Sequence, residues 1–379
     1  MKHLCITAFL FLSALCQVYS QAILINHTCT DLAAVPAAWL DSAKANLKVT
    51  YQHTSHGSQL VSGINAIAST HGPEFSFTSS GNGLVTDVFL NDYGIPGASD
   101  LGHYGDLAWQ TATIALLNDP ACDRNVVMWS WCGGVSDNDS AGIYAYLNGM
   151  NYLEIQYPDV KFVYMTGHLD GSGSEGNLNH MNNLIRNYCA ENQKTLFDFA
   201  DIESYSPGNT QNYMEWCALD GLNYDPICED PWGGPNWGVE WVATHSGHQY
   251  VTDLLACGEC AHSDSPNEAK LNCVLKGNAF WWMMARLAGW NQGASVDENP
   301  AAPNLSFIVD HNAKTLTLTG HKASYRKVEI FDMAGRRVSV SEEQNFPQTY
   351  LIRLDGLSQG MYVIRAYSAG QILSGKFIL

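Results

Sequence analysis

"KVTYQHTSHGSQL", Lys48 to Leu60, contains the transition on which the fold turns. Its first half is apolar and β-branched, a composition that fits a pleated, buried surface. Two histidines bracketing a serine, then a glycine, interrupt it. Apolar residues three and four apart follow in "SQLVSGINAIAS", which predicts a helix. A strand that passes through a polar turn into a helix opens a βαβ unit, and the chain repeats the pattern. "RNVVMWSW", "VKFVYMTG" and "KTLFDFADI" read as further strands and "FSFTSS" as a short one, five in all. "LAWQTATIALLN", "AGIYAYLNGMNYLEIQYP" and "NHMNNLIRNYCAENQ" read as helices between them, and "GNAFWWMMARLAGW" as a closing helix. Strands that are apolar throughout lie in a parallel sheet covered on both faces. The expected fold class is therefore α/β, with three layers around a parallel five-stranded sheet. Ligands belong at the carboxyl ends of its strands.

Outside this core the chain changes character several times. Lys2 and His3 precede an apolar run from Leu4 to about Val18 and small residues near Ser20, the pattern of a cleaved signal peptide over 1–20. No later run reaches the ~18 apolar residues of a membrane helix, so no membrane insertion is expected. The α/β domain is expected over 21–290. Within it, about 204–272 is an insertion rich in Gly, Pro, Trp and Cys ("CEDPWGGPNWGVEW"). Long insertions of this kind are functional or tied down covalently. Cys217, Cys228, Cys257, Cys260 and Cys273 are available for the tying. Eleven cysteines, less Cys5 and Cys16 of the leader, leave nine. Export permits disulfides, and the odd count predicts four bridges with Cys132 as the free thiol. Residues 291–303 have linker composition, and 304–379 alternate as short strands, predicting a small β-sandwich.

The C-terminal motifs "VEIFDMAGRRV", "LDGLSQGMYVIRA" and "GKFIL" closely resemble the sorting domain of the type IX secretion system of Bacteroidetes. That resemblance implies handling by the type IX machinery and a secreted or cell-surface location. Charge agrees with exclusion of some partners. Nineteen Lys and Arg against 37 Asp and Glu give a net charge of -18, which repels nucleic acid and anionic membranes. Eleven Trp and 18 Tyr suit core packing and also sugar-stacking faces.

The residues after each strand carry the candidate chemistry. Ser55 stands on a tight turn before a helix, where the helix N-terminus favours a nucleophile whose intermediate is negatively charged. A helix cap is the bland reading of such a serine; the flanking His53 and His56 weigh against it. Gly97 in "YGIPGASDLG" could bring a backbone N–H to a substrate. "WSWCGG" offers the Trp131 indole, the Cys132 thiol and Gly133. His168 and Asp170 follow the fourth strand, and Asp201 follows the fifth. Alternation puts Asp201 and Glu203 on one face and Asp198 on the other. In "CGECAH", Glu259 stands three residues ahead of His262, where a carboxylate can fix a histidine tautomer.

Together these positions resemble the SGNH (GDSL-like) hydrolase superfamily. "HTSHG" matches its serine block at Ser55, and "ECAH" stands where D-x-x-H precedes the last helix. The resemblance implies a flavodoxin-like sheet and a serine esterase that needs no cofactor. Ser55 is the implied nucleophile, His262 the base and Glu259 its orienting acid. Ser55 and Gly97 are the implied oxyanion donors, with Trp131, Cys132 or the more distant Asn138 replacing the asparagine that the third block lacks. His53, His56, Gly133, His168, Asp170 and Asp201 would line the pocket. The substrate expected is a polysaccharide or oligosaccharide losing acyl, in particular acetyl, groups. The alternative is a zinc or copper site on His53, His56 and His168, with His245, His248, His262 and Asp170 or Asp201 as further donors. It would make the protein a metal-dependent hydrolase or a metal- or glycan-binding protein. A non-catalytic glycan-binding module on a decayed hydrolase fold is the third reading.

Overall fold

The structure is a computed structural model. It describes residues 22–79, 87–208, 210–291, 306–310, 313–319, 327–332, 337–342, 349–358, 361–368 and 371–379. The expected signal peptide and almost all of the expected linker lie outside the described residues. Two compact units divide the chain between Asn291 and Gln292.

The first unit is built on seven parallel strands, not five. They are β1 (Ile23–Ile25), β2 (Lys48–Gln52), β3 (Phe77–Thr78), β4 (Val88–Asp92), β5 (Val126–Trp129), β6 (Lys161–Met165) and β7 (Thr195–Phe197), in the order β1-β7-β6-β5-β2-β4-β3. β1 and β3 are short edge strands. Between them, β2, β4, β5, β6 and β7 take the doubly wound order 2-1-3-4-5 when counted along the chain. Every residue of β5 is buried, as expected of a strand covered on both faces. The order reverses between β2 and β5, which pair from Val49↔Val126 to Gln52↔Trp129. That switch opens a crevice beyond their carboxyl ends.

The helices are α1 (Ala37–Asn46), α2 (Ser55–His71), α3 (Ala108–Leu117), α4 (Gly134–Asp137), α5 (Ser140–Gln156), α6 (Asn177–Glu191), α7 (Phe199–Glu203), α8 (Trp237–Thr244), α9 (Gln249–Ala256) and α10 (Leu271–Leu287). α2 and α10 cross with their backbones almost touching at Gly63 and Gly277. A Cβ on Gly63 would lie 1.8 Å from the Cys273 carbonyl oxygen, so only glycine fits there. All of α10 is buried except half-buried Arg286.

The insertion is not structureless. It holds α8 and α9, and Cys217–Cys228 closes a loop within it. Cys260 pairs with Cys273 at the start of α10, and Cys257 beside them stays reduced. Cys29, Cys122, Cys132 and Cys189 are also free among the described residues, so two bridges and five thiols replace the expected four and one. Strand-like alternation after β7 also fails. The strand stops at Phe197, Asp198 caps α7, and the helix sends Asp201 and Glu203 to different partners.

The second unit forms two antiparallel sheets. Strands β8 (Ser306–Asp310), β9 (Thr315–Thr319) and β12 (Thr349–Arg353) make one. β10 (Lys327–Asp332), β11 (Arg337–Glu342), β13 (Met361–Ser368) and β14 (Gln371–Ile378) make the other. Leu316, Leu318, Val328, Ile330, Ile352 and Ile364 form their shared apolar core.

Candidate active site

The crevice at the β2/β5 switch collects side chains from four segments. β2 ends at Gln52, and the chain turns through His53 and Thr54 into α2, whose first two residues are Ser55 and His56. β5 delivers Cys132, β6 delivers His168, and the insertion delivers Asp220 and His262. Thr54 does not cap α2; its hydroxyl donates to Asp100 at 3.2 Å. The first N–H groups of α2 are therefore without a side-chain cap, and they face the crevice with the positive end of a 17-residue helix.

Ser55 is exposed, and its Oγ lies 3.0 Å from Nε2 of His262. It also lies 3.5 Å from Sγ of Cys132. Cys132 Sγ is 3.1 Å from Nδ1 of His56, and His56 Nε2 is 3.4 Å from Asp220. The His56 ring is sandwiched. It stacks on His168 at 3.5 Å and on His262 at 4.1 Å, nearly parallel to both.

Burial works against the positive charge of His56, but its bonds to Asp220 and Cys132 outweigh it and raise the pKa to about 9. The His56 hydrogen bond acts in reverse on Cys132. Against the desolvation cost, and helped by Ser55 and Thr54, it lowers the thiol to about 6. Burial, then the neighbouring His56 charge, lower His168. Burial opposes ionisation of Asp220, yet the His56 bond holds its pKa below the usual carboxylate value. Near neutral pH the crevice thus holds a thiolate, an imidazolium donating at both nitrogens and a carboxylate, in line.

A buried polar scaffold sets these groups. The Asp220 carbonyl accepts from Asn272 at 2.7 Å and from Ser263 at 2.5 Å. Gln59 donates to the Asp220 carboxylate at 3.3 Å and to the Ala261 carbonyl at 2.6 Å, tying α2 to the His262 loop. Lys276 and Glu203, both fully buried, pair behind it, and Gln59 accepts from Lys276. Glu203 also accepts from the Leu169 N–H at 2.7 Å, while His168 Nδ1–H donates to the Leu169 carbonyl at 2.9 Å.

Several expected roles change. Glu259 is exposed and makes no hydrogen bond to His262; the Cys260 between them is bridged to Cys273. His53 does not line the crevice or join a metal set. It is 1% exposed and engages Asp92 at 2.7 Å and the Thr54 carbonyl at 2.8 Å. The Trp131 indole donates to the Met165 carbonyl at 2.9 Å, which removes it as an oxyanion donor. Gly97 sits at φ 115°, and a Cβ added there would meet Ala112 at 3.4 Å. Asp170 caps its own loop at Ser172, and Asp201 pairs with His27 at 2.5 Å. Gly133 sits at φ 74° with open space around it. Of the expected set, Ser55, His56, Cys132, His168 and His262 do meet. Asp220, Gln59, Lys276 and Glu203 went unrecognised as site residues. A lone lysine in "CVLKGNAF" was the one available signal, because a charge in an apolar helix demands a partner.

The donor atoms of His56, His168 and Asp220 lie within 4.8 Å of one another, near enough for a divalent ion. Parallel stacked rings send their lone pairs side by side and not toward one centre, and both His56 nitrogens already have partners. The set fits a hydrogen-bonded relay better than a metal centre. His245 and His248 lie elsewhere, in a cavity with His27, Trp241 and Tyr250 that includes His71 at the far end of α2. At the helical rise that end is about 24 Å from Ser55.

No curated protein matches the chain. No helix among the described residues is long and apolar enough to cross a membrane. Residues 299–379 match the family model described as a secretion system C-terminal sorting domain. The C-terminal unit is therefore a type IX sorting domain, which engages that secretion machinery and directs the protein to the cell surface or beyond.

Proposed function

We propose that the first unit is an exported ester hydrolase of SGNH type that removes acyl groups, acetyl in particular, from a polysaccharide. The observation that carries this reading is the 3.0 Å approach of His262 Nε2 to Ser55 Oγ at the uncapped start of α2. The doubly wound order of the five central strands supports the SGNH assignment. In this reading the Ser55 hydroxyl passes its proton to His262 Nε2 as Oγ attacks the ester carbonyl. The free N–H groups of the first turn of α2 hold the oxyanion. His262 then returns the proton to the leaving alkoxide, and a water molecule repeats the sequence to release the acid. With Glu259 absent from the site, the stack on His56 takes over the orienting of the His262 ring. Exposed Tyr104, Trp232 and Tyr93 offer stacking faces for a glycan, and export brings the protein to such substrates.

Acetate release from acetylated polysaccharides by the full mature protein tests the reading. Ser55→Ala should lower kcat by ~10³-fold or more, and a chelator should change nothing. Undiminished release from Ser55→Ala would overturn the serine mechanism. Release that a chelator abolishes would replace it with metal-dependent hydrolysis.

A further inference from the structure

We infer that Cys132, His56 and Asp220 form a second nucleophilic array in the same crevice, one that accepts acyl groups as a thioester on Cys132 independently of Ser55. The serine has a base but no carboxylate behind it. The thiol has both: His56 Nδ1 at 3.1 Å from Sγ, and Asp220 at 3.4 Å from the other ring nitrogen. Three separate segments converge to make that line, and each member is held from behind. Asp220 is fixed by Asn272, Ser263 and Gln59, and His56 by rings on both faces. This is the nucleophile–base–orienter geometry of covalent acyl transfer.

The position of Cys132 points the same way. The third block of the SGNH pattern calls for an asparagine that donates to the oxyanion, and Cys132 stands in that region. A thiolate cannot donate, and its charge would repel an oxyanion formed on Ser55. As the attacking atom it has what it needs. The first turn of α2 supplies N–H groups for the oxyanion that its own attack creates.

The step balances with groups in the crevice and water. Sγ attacks the carbonyl carbon of an ester, the C–S bond forms and the bond to the alkoxide breaks. His56 Nδ1–H gives its proton to the departing alkoxide. Water then gives a proton to Nδ1 while its oxygen attacks the thioester. The C–S bond breaks, the carboxylic acid leaves and the thiolate is restored. The substrate class is an ester or thioester.

The test uses the full mature protein with p-nitrophenyl acetate, quenched in acid and read by peptide mass spectrometry. Acetyl should appear on the Cys132 peptide in wild type and in Ser55→Ala alike, and neutral hydroxylamine should strip it. His56→Gln should lower its formation by ~10²-fold or more. A measurement without substitution accompanies it. Iodoacetamide should alkylate Cys132 in the native protein with a midpoint near pH 6, against ~8.5 for an ordinary thiol. Absence of acetyl from Cys132, whether or not Ser55 is acetylated, overturns the inference, as does an ordinary alkylation midpoint. Acetate release from polysaccharide reads the serine and acetyl on the Cys132 peptide reads the thiol, so the two readings fail separately.

Discussion

Lys276 and Glu203 face each other with no exposed surface on either side chain, and the Lys276 ammonium sits 3.7 Å over the Phe199 ring. Removing one member of such a pair strands the other charge in the interior. Glu203→Gln should lower unfolding stability by about 3–5 kcal/mol in urea titrations; an unchanged midpoint would show that the pair is dispensable. The same residue holds the Leu169 N–H, so His168 should loosen with it. The crevice charges are set by pH with a definite sign. Cys132, lowered to about 6, loses its charge as pH falls through that value. His56, raised to about 9, loses its charge as pH rises through that one. The thiolate–imidazolium pair therefore persists between the two. Ser55, His56, Cys132 and His168 were legible because they follow apolar strands, where little else explains them. Asp220 was not, since "ALDGLNYD" has no periodicity and its partner lies more than 150 residues away along the chain.

α2 and α10 cross at Gly63 and Gly277 with no room for a side chain between them. Gly63→Ala would force a methyl group into the Cys273 carbonyl and push the helices apart. The expected cost is roughly 1–3 kcal/mol, read as a lower melting temperature, with turnover falling as well because α2 carries Ser55. A melting temperature equal to wild type would mean that the crossing can open without penalty. Elements were readable where periodicity ran long. α2, α5, α6 and the central strands β2, β5 and β6 follow the hydrophobic pattern closely. β1 escaped notice because three residues carry no period, and β4 because only Val88, Phe89 and Leu90 of it are apolar. The Glu259 assignment failed for a different reason. A carboxylate three residues before a histidine is a pattern along the chain, whereas the Cys260–Cys273 bond decides where that loop lies.

At the scale of the whole molecule, the sorting domain was the most legible part, since its motifs fill a short domain from end to end. The disulfide pairing was the least, because cysteine spacing leaves connectivity open. The Cys260–Cys273 bond ties the loop bearing His262 to α10. Gentle reduction of the folded protein should therefore lower Ser55-dependent acetate release severalfold, and reoxidation should restore it; release that survives verified reduction would show that the loop holds itself. Such a bond forms only beyond the reducing cytoplasm. The chain thus leaves its birthplace with the His262 loop untethered from α10. Under the proposed function, passage across the envelope acts as a timer that spares the producing cell's own acylated molecules.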